Sequence, residues 1–154
     1  MATVRVQKDD FDPGAEAEAL ARGRTDVGAV VTFVGYCRDE GGSLAALELE
    51  HYPGMAEDEM TRAAGEAEAR WPLLGATVIH RYGRIAPGER IVFVAVAAAH
   101  RGAAFAAAEM LMDYLKTRAP FWKREMRSDG AVEGWIESKQ EDDRSAARWS
   151  AAAD

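Results

Sequence analysis

Two lysines in one basic, aromatic segment are the residues of this chain best suited to chemistry. Lysine supplies only four of the 19 basic residues, and the other 15 are arginine. Two of the four, Lys116 and Lys123, lie seven residues apart. Because lysine, unlike arginine, can give up its proton when it is desolvated or crowded by other cations, this pair is a candidate for acid–base or amine chemistry.

The segment from residue 116 to residue 127 is also strongly cationic. It holds five basic residues and one acid, Glu125, so its local charge is +4 in a chain of net charge −7. Such a cluster can bind a phosphate or carboxylate and stabilise negative charge that develops during a reaction. The alternative is a solvated helix end, where basic side chains interact favourably with the helix dipole. The scarcity of lysine and the aromatic pair Phe121-Trp122 favour a functional site.

Three positions outside this segment are further candidates for binding an anion. His100 and Arg101 precede Gly102 at the start of a predicted helix, where main-chain N–H groups are available to an anion. The alternative is that His100 only caps the helix and Arg101 is solvated. Arg38 stands where an apolar strand meets a glycine-rich loop, and such loops often contact ligands. The neighbouring Cys37 is interpreted as a small buried side chain rather than a nucleophile.

The spacing of these candidates predicts a second copy of the chain. His100 and Lys116 lie at opposite ends of one predicted helix, which places them about 24 Å apart at 1.5 Å per residue. No small ligand bridges that distance within one chain. If both ends serve one pocket, the second end comes from another subunit, as in a two-fold dimer with shared sites.

Composition limits the class of protein. A chain of 154 residues with 48% hydrophobic residues is expected to form one domain, 1–154. Its net charge of −7 and pI of about 5.0 argue against a general nucleic-acid or anionic-membrane binder. We find no apolar run long enough to span a membrane and no signal-peptide pattern, so a cytoplasmic location is expected. The single cysteine excludes an internal disulfide.

Motifs for metals and nucleotide cofactors are absent from the sequence. It contains no HExxH or CxxC, no GxGxxG and no Walker loop, and its three histidines are far apart. A serine nucleophile elbow is also missing. We therefore expect no metal and no cofactor.

The pattern of apolar residues predicts a mixed α+β fold. Strands are predicted over 3–7, 27–35, 44–52, 76–82, 90–97 and 131–137. Helices are predicted over 13–22, 53–71 and 102–118, and the last has an apolar stripe of Phe105, Ala108, Leu111, Met112 and Leu115. Pro87-Gly88 predicts a turn and Pro120 ends the last helix. The polar tail from about residue 140 is expected to fray, with Trp149 as its candidate anchor.

Three stretches together resemble a known family. They are residues 31–35 (VTFVG) followed by Arg38, residues 99–101 (AHR), and residues 112–125 (MDYLKTRAPFWKRE). In this order they resemble the large, catalytic subunit of molybdopterin synthase, and the resemblance covers nearly the whole chain. The last stretch is the most specific of the three.

The resemblance implies a reaction, partners and a fold. Enzymes of this family convert cyclic pyranopterin monophosphate into molybdopterin by installing two dithiolene sulfurs. The sulfur arrives as a thiocarboxylate on the C-terminal Gly-Gly tail of a small ubiquitin-like subunit. The family forms a heterotetramer, in which a homodimer of large subunits carries one small subunit at each end. The implied fold is an α/β hammerhead with an additional antiparallel β subdomain.

The resemblance also implies roles for individual residues. Lys116 and Lys123 are implied to be the catalytic pair, with Lys116 near the incoming tail. The implied substrate-binding set is Tyr36, Cys37, Arg38, His100, Arg101, Lys116, Lys123, Arg124 and Glu125. Where many relatives have an arginine after the last strand, this chain has Lys139, which keeps the charge but not the bidentate geometry. Lys139 is therefore a candidate contributor only.

Two other classes of function stay open at this point. One is a non-catalytic anion-binding paralogue that keeps the fold and pocket without turnover, although the presence of both lysines argues against it. The other is a lysine Schiff-base enzyme that acts on a carbonyl compound. Trapping with borohydride would distinguish this second class, because the synthase reaction requires no imine.

Overall fold

The computed structural model describes residues 2–39, 41–135 and 140–151, and these form two β-sheets with helices packed mainly on one of them. The elements are β1 Thr3–Gln7, α1 Pro13–Ala21, β2 Ala29–Tyr36, β3 Leu44–His51, α2 Met55–Arg70, β4 Leu73–Arg81, β5 Gly83–Ile85, β6 Arg90–Ala98, α3 Arg101–Thr117, β7 Phe121–Arg127 and α4 Gln140–Ala151.

The larger sheet has the strand order β1-β4-β6-β2, with β1 parallel to β4 and the other neighbours antiparallel. The central strand β6 is buried on both faces, which explains its continuous apolar sequence. Val92, Val94 and Val96 belong to the core that α2 and α3 cover, whereas Phe93 and Ala95 pack with Phe11 beside α1. The alternation of β-strand side chains thus produces two apolar cores from one strand.

Helix α3 is packed against β6, β2 and α2, and small residues bring it close to the sheet. Its buried side chains are Ala104, Ala107, Ala108, Met110, Leu111, Tyr114 and Leu115. The predicted stripe was wrong at Phe105, which is 60% exposed. In the first half of α3 the sheet-facing positions are alanines, and Phe105 lies on the outer side.

The smaller sheet, β5-β3-β7, is antiparallel throughout. Its core contains Cys37, Leu44, Leu49 and Ile85. Together with the mixed larger sheet, it confirms the expected α+β class and the additional antiparallel subdomain.

The structure confirms most predicted elements to within a few residues, including a helix over Arg101–Thr117. Two strands were missed. The short β5 lies between β4 and β6, so those strands are not joined by the Pro87-Gly88 turn alone. The second is β7, which is the basic segment itself.

The prediction of a last strand over 131–137 was wrong for its described part, 131–135. There Val132 forms an isolated bridge with Met126, and Glu133 donates its backbone N–H to the carbonyl oxygen of Glu125. The chain folds back at Gly130, with a φ of 90°, but these exposed residues form no continuing ladder. Residues 136 and 137 lie outside the described residues.

The prediction that the tail frays was also wrong, because Gln140–Ala151 is the helix α4. Trp149 does anchor it, as expected: its ring packs edge-on against Trp71, with 5.8 Å between centroids, and its indole N–H donates to Asp113. Arg148 pairs with Asp113 and Glu109 of α3. Helix α4 is therefore fixed to the outer side of α3.

Candidate functional site

A small cavity lies at the C-terminal end of α3, where that helix meets β2, β4 and β6. Its volume is about 90 Å³. It is lined by Phe33, Gly35, Tyr36, His80, Ile91, Val92, Met112, Leu115 and Lys116. The cavity thus combines an apolar wall with a phenol, an imidazole and an ammonium group.

Lys116 brings the positive charge to this cavity. It lies in the last turn of α3, where a cation is favoured by the partial negative charge of the helix C-terminus. Arg118, two residues later, is engaged elsewhere: it lies 3.7 Å from the ring centroid of Tyr114 and donates to both carboxylate oxygens of Glu66. Of these two cations, Lys116 is the one that lines the cavity.

Strand β7 contacts a residue of the cavity through one aromatic ring. Its side chains alternate, so Phe121, Lys123 and Glu125 share one face and Arg124 lies on the other. The ring of Phe121 stacks on His80, which lines the cavity with Lys116. Lys123 begins on the same face about 7 Å further along the strand. The stack thus connects the strand that carries Lys123 to the cavity that Lys116 lines.

The opposite face of β7 holds Arg124 in a structural ion pair. Its guanidinium donates to both oxygens of Glu48 on β3 at 3.1 Å and lies 4.6 Å from the ring centroid of Trp135. Glu125 pairs with Arg127, 2.7 Å apart. The structure thus does not bring Arg124 to the cavity, and its predicted contact with substrate stays a prediction, as does that of Glu125.

A column of aromatic rings runs from the cavity to the smaller sheet. His80 stacks on Phe121 with 3.7 Å between centroids and 15° between planes. Phe121 in turn lies 5.9 Å from His51, and His51 lies 4.4 Å from Tyr82. The column joins β4 of the larger sheet to β3 and β7 of the smaller one.

His80 is held as a neutral ring. Burial lowers its pKa from 6.5 to about 4, and the charges of Lys116 and His51 add to this effect. Its Nδ1 lies 2.7 Å from the carbonyl oxygen of Arg81, which partly offsets the shift. A neutral imidazole beside Lys116 is therefore the state at physiological pH.

The loop after β2 carries three of the predicted substrate-binding residues, and the structure places them differently. Tyr36 is 55% exposed and lines the cavity. Arg38 is exposed. Cys37 is buried, with its Sγ 3.9 Å from the carbonyl oxygen of Ile85, and burial raises the pKa of its thiol. This agrees with its interpretation as a small buried side chain rather than a nucleophile.

A glycine keeps the cavity open beside Tyr36. A Cβ added to Gly35 would lie 2.6 Å from Cγ1 of Val92 and 3.3 Å from the ring of Phe33. A larger residue there would displace two parts of the cavity wall.

His100 and Arg101 lie at the other end of α3, far from this cavity. His100 occupies the N-cap position with extended backbone, and its side chain makes no capping hydrogen bond. Both residues are exposed. The continuous helix between Arg101 and Thr117 places them about 24 Å from Lys116. One chain does not bring the two ends together.

Lys139, the remaining candidate, lies outside the described residues. Within the part of the chain that the structure describes, no three His, Cys, Asp or Glu residues lie close enough together to hold a metal ion. In the same residues, no helix is long and apolar enough to cross a bilayer.

The sequence analysis did not identify His80 as a residue of this cavity. It considered this histidine only as a possible metal ligand. Its position at the end of an apolar strand gives no local sign that it would meet Phe121, which comes much later in the chain. The cavity residues Phe33 and Met112 belong to stretches that carry the family resemblance, but neither is among the candidate site residues of the sequence analysis.

Comparison with known proteins gives a consistent result. A family model described as MoaE protein matches residues 6–118. The molybdopterin synthase catalytic subunit of Mesorhizobium japonicum is 62% identical over 152 residues, which is 99% of this chain and 96% of that protein. The protein of the same name from Brucella melitensis is 58% identical over 96% of this chain and 90% of its own. A solved structure, the molybdopterin biosynthesis MoaE protein from Burkholderia ambifaria, matches with a TM-score of 0.83 and 49% identity over 97% of this chain and 99% of that one.

Proposed function

We propose that this chain, which belongs to the MoaE protein family, is the catalytic subunit of a molybdopterin synthase, a sulfurtransferase of molybdenum cofactor biosynthesis. The observation that carries the proposal is the position of Lys116. The lysine of the most specific sequence segment lines a cavity, beside the face of β7 from which Lys123 projects. The non-catalytic alternative gives no reason for this arrangement.

The reaction is the conversion of cyclic pyranopterin monophosphate into molybdopterin. Two sulfurs come from the thiocarboxylated C-terminus of a small ubiquitin-like subunit. An external donor is chemically reasonable, because the chain has one cysteine and its thiol is buried. A local charge of +4 between residues 116 and 127 suits a substrate that carries a cyclic phosphate.

The two lysines take the chemical roles. The sulfur of the thiocarboxylate forms a bond to a carbon of the pterin side chain as oxygen leaves that carbon, and one ammonium group protonates the leaving oxygen. Water then adds to the acyl carbon, the other ammonium group stabilises the resulting oxyanion, and the C–S bond to the acyl carbon breaks, which leaves the sulfur on the pterin and a carboxylate on the small subunit. By the family resemblance, Lys116 is assigned to the incoming tail and Lys123 to the substrate.

The remaining predicted contacts hold the phosphate and the pterin. Tyr36, the last residue of β2, lines the cavity, and Arg38 is exposed in the loop that follows; Cys37 contributes backbone rather than its buried thiol. Arg124 and Glu125 act at the edge of β7, where Arg124 must exchange its contact with Glu48 for one with substrate. Lys139 is a further candidate beyond the described residues.

The site is completed by a second copy of the chain. A cavity of about 90 Å³ holds a few water molecules and is far smaller than the roughly 300–1,000 Å³ of small-molecule sites. His100 and Arg101 supply the missing cationic wall from the partner of a homodimer. The exposed Phe105, one turn from Arg101, is an apolar contact for that copy. The homodimer with two small subunits forms a heterotetramer, in the cytoplasm.

Product formation tests this function. The purified chain, a thiocarboxylated small subunit and cyclic pyranopterin monophosphate should yield molybdopterin, detected after oxidation to its fluorescent derivative. Omission of the small subunit should abolish the product. In parallel, borohydride added during turnover should trap no substrate on the chain, because no imine forms. Covalent trapping on Lys116 or Lys123 without molybdopterin formation would instead identify a Schiff-base enzyme.

A further inference from the structure

We propose that His80 is a positioning residue of the reaction. In this structure Lys116 is exposed and is not hydrogen bonded to His80; during turnover the Nε2 of His80 accepts a hydrogen bond from the ammonium group of Lys116 and so directs that group into the cavity. The inference rests on the proposed function, because it assigns His80 a role in turnover. Four observations carry it, and the first is that His80 and Lys116 line the same small cavity.

The second observation fixes the tautomer. The Nδ1 of His80 lies 2.7 Å from the carbonyl oxygen of Arg81. A carbonyl oxygen only accepts hydrogen bonds, so Nδ1 carries the proton. In the neutral ring the other nitrogen, Nε2, then has a lone pair and acts as an acceptor. An ammonium group has three donors and no acceptor, which makes it the complementary partner.

The third observation fixes the orientation of the ring. The stack on Phe121, at 3.7 Å and 15°, holds the plane of the imidazole, while the bond to Arg81 prevents its rotation within that plane. Phe121 is itself packed by His51 on β3. The acceptor therefore has a defined direction, which is what a group that positions a flexible lysine requires.

The fourth observation concerns charge. Lys116 on α3 and His51 on β3 face the ring, and both oppose its protonation. The next side chain on β4, Arg81, is turned to the backbone carbonyl oxygens of Lys8 and Arg90 and to Glu89. Burial is the main cause that keeps the imidazole neutral, and the charge of Lys116 adds to it, so the ring carries no charge that would repel the ammonium group of Lys116.

Three substitutions separate this role from simple packing. His80→Phe keeps the stack on Phe121 but has no ring nitrogen. His80→Asn and His80→Gln form a matched pair of amides: asparagine places its polar group near the Nδ1 position, and glutamine places its own near Nε2. Each variant is assembled with the thiocarboxylated small subunit, and kcat, KM for the pterin precursor and thermal stability are measured beside wild type.

The expected result is a loss of kcat by about tenfold to a hundredfold in His80→Phe and His80→Asn, the range of one charge-assisted hydrogen bond. KM should change by less than about threefold, because the substrate contacts remain. His80→Gln should recover kcat to within about threefold of wild type. If His80→Phe does not fold, the comparison of His80→Asn with His80→Gln still distinguishes a positioning role from packing.

Two results would overturn the inference while the proposed function stands. One is a folded His80→Phe variant with wild-type kcat. The other is equal impairment of the asparagine and glutamine variants, which would assign His80 to packing alone. If wild type itself forms no molybdopterin under conditions in which the small subunit is thiocarboxylated, the proposed function fails, and the role of His80 in turnover fails with it.

Discussion

The two ends of α3 both carry exposed cations, but their surroundings differ. At the C-terminal end, Lys116 is exposed and also lines a cavity whose other walls come from β2, β4 and β6. At the N-terminal end, His100 and Arg101 are exposed, and Phe105 beside them is 60% exposed. The first end is a partly built site, whereas the second presents cationic and apolar groups outward. This difference is the basis for the proposal that the second end contacts another molecule.

The histidines show the same contrast. His80, near the C-terminal end of α3, is fixed by a hydrogen bond and a ring stack and is held neutral. His100 makes no side-chain capping bond at the helix start, although that position often uses one. The histidine near the C-terminal end of α3 is thus held in one orientation, whereas no side-chain capping bond holds the histidine at the N-terminal end.

The largest expected effect is the loss of molybdopterin formation when either lysine of the site is removed. Lys116→Ala and Lys123→Ala should each reduce molybdopterin formation by about 10²–10³-fold, because each removes a charge that stabilises the transition state. Their free energies of unfolding should stay within about 1 kcal/mol of wild type. The measurement is single-turnover product formation together with urea denaturation.

Arg62→Ala is the matched control for these variants. Arg62 is an exposed cation on α2 that pairs with Glu59, with 3.2 Å between the charged atoms. Its removal should leave product formation unchanged. Wild-type activity in both lysine variants would refute the assignment of the site to this end of α3.

A smaller effect should appear in stability at acid pH. The pKa of His80 is about 4 in the folded chain and 6.5 is its ordinary value, so between these values the unfolded chain binds one more proton at this ring. Stability therefore falls as pH is lowered, and this ring accounts for about 2 kcal/mol between pH 7 and pH 5. Urea denaturation at the two pH values measures it.

His80→Phe supplies the comparison for this pH dependence. The variant lacks the titrating ring, so its loss of stability from pH 7 to pH 5 should be smaller than that of wild type by about the same 2 kcal/mol. Equal losses in the two proteins would mean that the ring is not held neutral, and the contrast between the two ends of α3 would lose one of its supports.

The sequence predicts the larger sheet and its helices well because their burial is periodic. The apolar run in β6 and the small and apolar residues of α3 are local signals of structure. Strand β7 was missed because Lys123, Arg124 and Glu125 conceal the alternation of its faces. Its stability comes from partners far along the chain, such as Glu48 on β3, and a local pattern does not show them.

The candidate site, like the fold, is predictable from the sequence only in part. The scarcity of lysine predicts Lys116 and Lys123 as site residues, and the length of one predicted helix already separates His100 from Lys116. The role of His80 is not predictable, because it depends on a ring stack between β4 and β7 and on the folded position of Lys116. The sequence gives the chemical type of each side chain, but it does not show which distant strands lie next to each other in the fold.

Subunit mixing tests most directly the claim that opposite ends of α3 serve one site. His100→Ala and Lys116→Ala chains are prepared separately, mixed, unfolded and refolded together, and assayed with the small subunit. Random pairing makes about half of the dimers mixed, and each mixed dimer has one intact site out of two. We expect about a quarter of wild-type activity. A mixture no more active than the mean of its two parents would contradict a site shared between subunits.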